Sequence, residues 1–262
     1  MLRAALQDAV EEELLSRNVA RLVQLRVTDD RKVRSFTRAE ALRFLDAAEQ
    51  HRLYALWAVA LAMGLRRGEA LGLAWADVDL DGGRMTVRQA LHRVDGQLRL
   101  DRVKTDASVA VLPIPDPLVT ILRAHRTRQL QERFAAGSSW RDTGLVFTTA
   151  QGGFIEPRNA NRMFHHLCEK ANVPQLRVHD LRHSCATLLF TMGVQPATVQ
   201  RILRHSSITL TTGTYVEVIE AVQRDALDSM GSLFAHVGDG STSPLSSKTG
   251  PLSSKLSSNG SE

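Results

Sequence analysis

Apolar residues recur every three or four positions through most of the chain, a period typical of helices that bury one face or all of their surface. This period predicts helices at 38–50, 51–63, 116–135, 157–171, 180–192, 196–204 and 208–228, with a further helix after Gly64. The first of these begins with a capping-box pattern, because Thr37 precedes it and Glu40 follows Thr37 by three positions. The pattern therefore predicts a mainly helical body over residues 35–235.

Short runs of β-prone residues interrupt the helical period in the middle of the chain. They read MTVRQALH, QLRLDRVK and SVAVLPI, and one more short strand, LVFT, is predicted at 145–148. Asp95 and Gly96 lie between the first two runs and are typical of a tight hairpin turn. We therefore predict an α+β fold in which a mainly helical domain carries a small three-stranded antiparallel sheet.

The two ends of the chain differ in character from the body. Residues 1–34 start with an acidic amphipathic helix, LRAALQDAVEEELL, and continue as a connector without an apolar period. Because an amphipathic helix normally packs against others, we expect it to be the last helix of a domain that is otherwise missing. Residues 236–262 are Ser-rich, contain no aromatic residue and repeat PLSSK, which predicts a disordered tail.

Basic residues are concentrated in one part of the chain. The whole sequence has 33 Lys and Arg against 28 Asp and Glu, a net charge of +5. The stretch 157–205 alone holds seven basic and two acidic residues, namely Arg158, Arg162, Lys170, Arg177, Arg182, Arg201 and Arg204 against Glu169 and Asp180. Such a stretch favours a polyanionic partner, and a solvated basic face is the alternative.

The cysteine content and the apolar runs bear on the compartment. Only Cys168 and Cys185 occur, too few for a disulfide framework, and the N-terminus lacks the pattern of a signal peptide. The longest apolar run, at 53–65, is shorter than the roughly 20 residues that a membrane-spanning helix requires. We therefore expect a cytoplasmic protein with no membrane segment.

The segment HDLRH at 179–183 has the spacing of a zinc site, since residues four apart share one face of a helix. However, Arg182 places a permanent positive charge between the two histidines, and this charge favours an anion over a metal ion. An arginine with neighbouring imidazoles suits a phosphate, because it donates paired hydrogen bonds while histidine exchanges protons near neutral pH. A zinc hydrolase stays an alternative that requires a further acidic ligand.

Four segments, taken in order, resemble the catalytic domain of tyrosine recombinases of the phage-integrase type. They are GLRRGEALGLAWADVDL at 64–80, VKTDASVAVLPIP at 103–115, HDLRHSCATLLFTMG at 179–193 and LRHSSITLTTGTYVEV at 203–218. The resemblance implies the DNA breaking-rejoining enzyme fold, and site-specific strand exchange on double-stranded DNA through a 3′-phosphotyrosine, with no metal and no cofactor. It also implies that an N-terminal core-binding domain is largely missing.

By this resemblance, Tyr215 is the nucleophile, and five residues surround the scissile phosphate: Arg66, Lys104, His179, Arg182 and His205. Glu69 and His183 are supporting residues, and the predicted DNA contacts are Arg158, Arg162, Arg177, Arg201 and Arg204. These residue types suit the cleavage of a phosphodiester. Two arginines stabilise the charge that builds on the phosphate oxygens, Lys104 is the candidate acid for the leaving oxygen, and His179 is the candidate carrier of the Tyr215 proton.

Each assignment has a simpler alternative. Arg66 is alternatively a solvated residue at a helix end, and Lys104 is alternatively a surface lysine at a strand edge. Glu69 is alternatively a surface acid, and Tyr215 is alternatively a packing residue. Arg204 stands where the family usually has Gly before the histidine, so it either adds a phosphate contact or displaces His205.

The resemblance also bears on assembly and location. It implies a homotetramer on DNA that is monomeric when free, in a cytoplasmic, nucleoid-associated protein of a phage or mobile element. A recombination-deficient DNA-binding remnant of such an element is the second hypothesis.

Overall fold

The computed structural model describes residues 2–23, 34–102, 110–205, 212 and 215–235. Its helices are α1 Leu2–Glu11, α2 Arg38–Ala48, α3 Tyr54–Met63, α4 Arg67–Leu71, α5 Asp116–Ala136, α6 Pro157–Lys170, α7 Asp180–Thr191, α8 Pro196–Leu203 and α9 Val216–Ala235. Its strands are β1 Val78–Asp79, β2 Arg84–Val87, β3 Gln89–Val94, β4 Gln97–Arg102 and β5 Ala110–Pro113. Within these residues, no helix has the length and apolar character needed to cross a bilayer.

The core is organised around α3, whose sequence YALWAVALAM is apolar on every side and is buried along almost its whole length. Trp57 of this helix packs on Phe164 of α6, with 5.6 Å between the ring centroids, and Phe164 in turn meets Phe44 of α2 at 5.1 Å. The capping box predicted for α2 is confirmed, since Thr37 Oγ1 accepts the N–H of Glu40 and the Glu40 carboxylate accepts the N–H of Thr37. Three helices thus meet through one aromatic cluster.

The strands form two antiparallel sheets, one of order β1-β2-β5 and one hairpin of β3 and β4. The predicted run MTVRQALH is divided at Arg88, so that Met85 pairs with Leu112 in the first sheet and Leu91 pairs with Leu100 in the hairpin. Asp95 and Gly96 both have positive φ, 48° and 76°, which confirms the predicted tight turn. The predicted antiparallel sheet is therefore confirmed, but the β-prone runs are shared between two sheets.

Two predicted elements differ in the structure. The strand predicted at 145–148 is wrong, because Leu145 makes only an isolated bridge to Ala74 and the buried segment bends at Val146 and Phe147. The helix predicted at 208–228 is interrupted at Tyr215 and continues as α9 from Val216, whereas 208–211 and 213–214 lie outside the described residues. Residues 1, 24–33, 103–109, 206–211, 213–214 and 236–262 lie outside the described residues, and with them part of the predicted linker and the whole predicted tail.

Gly64 brings the end of α3 against α8. It ends α3 in the left-handed conformation, with φ of 56°, which glycine adopts without steric cost. A β-carbon at this position would lie 2.5 Å from Leu203 Cδ2 of α8 and 3.3 Å from Cys185 Sγ of α7. The two residues that follow, Leu65 and Arg66, therefore leave α3 at the point where α7 and α8 converge.

Candidate active site

Arg182 lies at the centre of this convergence and is only 2% exposed. Its Nη1 donates to the carbonyl of Gly64 at 2.7 Å, and its Nη2 donates to the carbonyl of Leu203. These carbonyls end α3 and α8, so the guanidinium joins two helix ends as well as carrying charge. Burial, followed by the charges of Arg66 and Arg204, lowers the pKa of Arg182 to about 9, which leaves it protonated at neutral pH.

Glu69 holds two further arginines. Its Oε1 accepts from Arg66 Nη1 at 2.7 Å, while its Oε2 accepts the backbone N–H of Arg66 at 2.8 Å and Arg204 Nη2 at 2.7 Å. Burial alone would raise the pKa of Glu69, but the Arg204 charge and the Arg66 hydrogen bonds outweigh it, so the pKa lies below its usual value. The carboxylate is therefore ionised and fixes Arg66 at the start of α4.

Tyr215 lies in a small apolar cluster formed by α7, α8 and the start of α9. Its side chain is 3% exposed, packs on Phe190 with 5.5 Å between ring centroids, and places its hydroxyl 2.6 Å from His183 Nδ1. Burial raises the pKa of Tyr215 above its ordinary range, although the Arg182 charge offsets part of the rise. The hydroxyl is therefore protonated and lies within hydrogen-bonding distance of His183.

The three histidines of the site are held neutral. Burial, then the neighbouring His179, lowers the pKa of His183 to about 4, and burial together with Arg182 and Arg66 lowers that of His205 to about 4. Desolvation and the Arg182 charge also lower the pKa of His179, whose ring is 5.3 Å from the His183 ring. A neutral His183 can accept a hydrogen bond from Tyr215 through Nδ1.

A groove of about 760 Å³ opens beside these residues. Arg66 and His179 line it together with Arg158 and Arg177, two of the predicted DNA contacts. Its walls carry five arginines and one acid, a balance of 5 − 1 = +4; the full charged set is Arg66, Arg67, Arg93, Arg158 and Arg177 with Glu156. Asp180 fixes the Arg177 side chain by two hydrogen bonds, of 3.1 and 3.2 Å. The groove is therefore basic and leads to the arginine cluster.

The predicted site residues do not all lie together in the structure. It brings together eight of them: Arg66, Glu69, His179, Arg182, His183, Arg204, His205 and Tyr215. Lys104 lies outside the described residues, so its role stays a prediction. Arg162 and Arg201 are exposed but do not line the groove.

Two of the predictions change in detail. Arg204 was expected to contact DNA, yet its side chain is only 6% exposed and points inward to Glu69. His183 was expected to support the site by packing, yet it contacts the Tyr215 hydroxyl directly.

Several residues of the groove wall are not among those predicted from the sequence. Arg67 donates to Asn161 Oδ1 at 3.1 Å, and Arg93 of β3 pairs with Glu156, which precedes α6. The available signal was the exposed polar end of β3, since His92 and Arg93 follow two buried positions. In the described part of the chain, no three His, Cys, Asp or Glu side chains lie together as metal ligands would.

A sequence model of the phage integrase family matches residues 34–221, which include every candidate catalytic residue from Arg66 to Tyr215. The chain belongs to the phage integrase family. Among integrases and recombinases, it is 32% identical over 251 residues to a tyrosine recombinase XerC-like protein of Caldanaerobacter subterraneus, covering 89% of this chain and 64% of that protein. It is 26% identical to the ICEBs1 integrase of Bacillus subtilis, over 86% of this chain and 61% of that protein.

Solved structures of integrases and recombinases share the fold. The Tn1549 transposon integrase, solved in complex with transposon right end DNA, matches with a TM-score of 0.69 at 21% identity, over 87% of this chain and 76% of that one. XerA recombinase matches with a TM-score of 0.60 at 23% identity, over 75% and 65% of the two chains. The chain spans slightly less than two thirds of the length of its first curated relatives in the phage integrase family, at 64%, 65% and 62%.

Proposed function

We propose that this protein is a tyrosine-type site-specific recombinase that cleaves and rejoins double-stranded DNA through a 3′-phosphotyrosine. The observation that carries the proposal is the pairing of the Tyr215 hydroxyl with a neutral His183 beside the buried, charged Arg182. Membership of the phage integrase family and relatives named as recombinases and integrases support it.

In the proposed reaction, the Tyr215 oxygen attacks the scissile phosphorus and the bond from phosphorus to the 5′ oxygen breaks. Negative charge grows on the two non-bridging oxygens, and Arg66 and Arg182 supply fixed positive charge for it. The departing 5′ oxygen takes a proton, for which Lys104 is the candidate donor. Because the covalent phosphotyrosine keeps the energy of the broken bond, attack by a 5′ hydroxyl reverses the step and rejoins DNA without ATP.

The phenolic proton has to leave Tyr215 during the attack. His183 Nδ1 is 2.6 Å from the hydroxyl, within the range for direct proton transfer, and the His179 ring lies against the His183 ring, with 5.3 Å between the centroids. We therefore assign the first proton acceptance to His183 and give His179 a place behind it. Both imidazoles are neutral at pH 7, as a proton acceptor must be.

DNA is the proposed substrate because the basic groove ends at the arginine cluster. Its arginines are spread along the groove wall, which suits a backbone with regularly spaced phosphates. Arg158 and Arg177 are the groove residues that we assign to backbone contacts, with Arg162 and Arg201 on neighbouring surfaces. A DNA substrate makes the nucleoid the proposed place of action.

Assembly into a homotetramer on DNA is proposed from the free surface of α9. Val218 and Ile219, at its start, pack on the Tyr215 cluster, while Ala226 and Leu227 further along are exposed, Leu227 by 70%. This helix therefore has apolar surface left for a second copy. We expect a monomer without DNA and a larger assembly with it, measured by light scattering. A tetramer in the absence of DNA would contradict the proposal that the protein assembles only on DNA.

The test is covalent trapping on DNA. A pool of short duplexes, randomised in sequence and nicked near the centre, lets the fragment beyond the cut diffuse away, so that the adduct accumulates and its DNA can be sequenced. We expect an adduct from the wild type and none from Tyr215→Phe. Tyr54→Phe, which changes the only other tyrosine, is the matched control and should react normally. DNA binding without any adduct would refute the enzyme and favour a binding remnant.

A further inference from the structure

Arg204 has a backbone conformation that suits glycine better than arginine. It follows the last residue of α8 with φ of 56° and ψ of 47°, in the left-handed region, and its N–H bonds the carbonyls of Gln200 and Arg201. Glycine adopts this helix-ending conformation without steric strain, whereas any side chain is crowded there. An arginine at this position therefore needs a compensating contact.

The compensation comes from a buried ion pair. Arg204 Nη2 lies 2.7 Å from Glu69 Oε2, its Nη1 donates to the carbonyl of Ile202 at 2.9 Å, and the side chains of Arg204 and Glu69 are 6% and 5% exposed. Removing one partner of such a pair leaves an uncompensated charge in the protein interior. Arg204 and Glu69 therefore depend on each other.

The same carboxylate also holds Arg66, through 2.7 Å and 2.8 Å contacts. The Arg66 side chain is 47% exposed and faces the basic groove, in contrast to the covered Arg204. One acid thus connects an interior arginine to the arginine that meets the groove. A change at Arg204 can therefore reach the groove through Glu69.

The charges of the three residues show what Arg204 adds. Arg66 paired with Glu69 alone would be a neutral couple, 1 − 1 = 0, and would attract a phosphate weakly. With Arg204 included, the cluster carries 1 + 1 − 1 = +1. Glu69 can then fix the Arg66 side chain without cancelling the charge that a phosphate would meet.

We propose that Arg204 is a positioning residue that shares the Glu69 carboxylate, fixes the Arg66 guanidinium and keeps this three-residue cluster positive toward the DNA phosphate. The inference rests on the proposed function, in which Arg66 binds the scissile phosphate. It gives the arginine a role other than direct phosphate contact, because its guanidinium is covered.

The experiment measures single-turnover adduct formation by the full chain on a trapped duplex at saturating DNA. Arg204→Gly suits the backbone, so we expect it to fold, as checked by thermal melting, and to react slower by about tenfold or more. Arg204→Lys keeps the charge and should recover part of the rate. Arg123→Gln is the charge-matched control: it also removes one positive charge, from a residue paired with Asp81 outside the site, and should react at the wild-type rate.

A neutral substrate separates positioning from a general structural defect. A methylphosphonate at the scissile position replaces the charged oxygen with a methyl group and reduces the need for positive charge. The deficit of Arg204→Gly should therefore be smaller on this duplex than on ordinary DNA. In addition, Arg204→Gly should cost little more once Glu69→Gln is present, because both act through one carboxylate.

Wild-type rates for Arg204→Gly, or an equal deficit on both duplexes, would overturn the inference while leaving the proposed function intact. If the wild type forms no adduct, the proposed function fails, and the inference is tested without cleavage. Inorganic phosphate is then titrated while the arginine Nε–H signals are followed by NMR. The Arg66 signal should respond at lower phosphate concentration in the wild type than in Arg204→Gly, and identical titrations would overturn the inference.

Discussion

Gly64→Ala should destabilise the fold through two separable effects. The residue has φ of 56°, and an alanine in this region costs about 1–2 kcal/mol. The new methyl group would also lie 2.5 Å from Leu203 Cδ2, and Leu203 is fully buried, so it has no free space to move into. Overpacking of this kind costs about 1–3 kcal/mol, which gives a combined loss of about 2–5 kcal/mol.

Gly193→Ala is the matched control for Gly64→Ala. Gly193 has φ of 78°, but a β-carbon there meets nothing within 4 Å among the described residues. Gly193→Ala should therefore lose only the stability that backbone strain costs, about 1–2 kcal/mol. Urea unfolding at pH 7 followed by circular dichroism gives both free energies of unfolding, and the difference between them isolates the contact with Leu203. Equal losses in the two variants would refute the steric argument.

Function should respond to the same change, since the Gly64 carbonyl accepts Arg182 Nη1 and Leu203 packs in the Tyr215 cluster. Adduct formation by Gly64→Ala should slow even at temperatures where the protein is fully folded. Gly193→Ala should react normally once corrected for the folded fraction. Normal cleavage by a folded Gly64→Ala would show that Arg182 tolerates displacement of its carbonyl partner.

Three further predictions concern charge. Because the pKa of His183 and that of His205 are lowered to about 4 from 6.5, the unfolded chain binds more protons between these values, so urea-measured stability should fall as pH drops from 6.5 to 4. His183→Gln should flatten that slope, and an unchanged slope would count against the burial of the imidazole. Arg182→Gln should lower the adduct rate by about 10²–10³, and a rate within a few fold of the wild type would exclude Arg182 from charge stabilisation. EDTA should leave cleavage unchanged, since side chains supply the positive charge; strict dependence on Mg²⁺ would contradict the mechanism.

Local signals were enough to predict several elements of the fold. Thr37 and Glu40 located the start of α2, and Asp95-Gly96 located the turn of the β3–β4 hairpin, because caps and tight turns depend on a few adjacent residues. The LVFT segment was wrongly predicted as a strand because a buried apolar run has the same composition whether or not it pairs with another strand. Pairing depends on a neighbouring strand, which the run itself does not specify.

The candidate site likewise has features that the sequence predicts and features that it does not. Three of the four motifs contain the residues that meet, and Lys104 of the motif at 103–115 lies outside the described residues; none of the motifs specifies how each residue is used. The ion pair between Glu69 and Arg204 joins positions 135 apart, and the contact between His183 and Tyr215 joins positions 32 apart. No periodicity of the sequence reports such a pair. The Arg204 side chain turns inward to Glu69 from a left-handed backbone, a conformation that is typical of glycine at a helix end.

The packing of Tyr215 among Cys185, Ala186, Phe190 and Leu203 makes the proposed nucleophile a core residue as well. Because Tyr215 is only 3% exposed, we expect a phosphate to reach its hydroxyl only after that cluster opens, so that the rate of attack is multiplied by the fraction of molecules in the open form. Every 1.4 kcal/mol, roughly, that packing adds to the closed form then slows cleavage tenfold. Substitutions that tighten the cluster should produce a sturdier but slower enzyme, and mild loosening a faster one. Packing around Tyr215 thus increases stability and decreases reactivity. Looser packing should increase the cleavage rate only up to the point at which the protein begins to unfold.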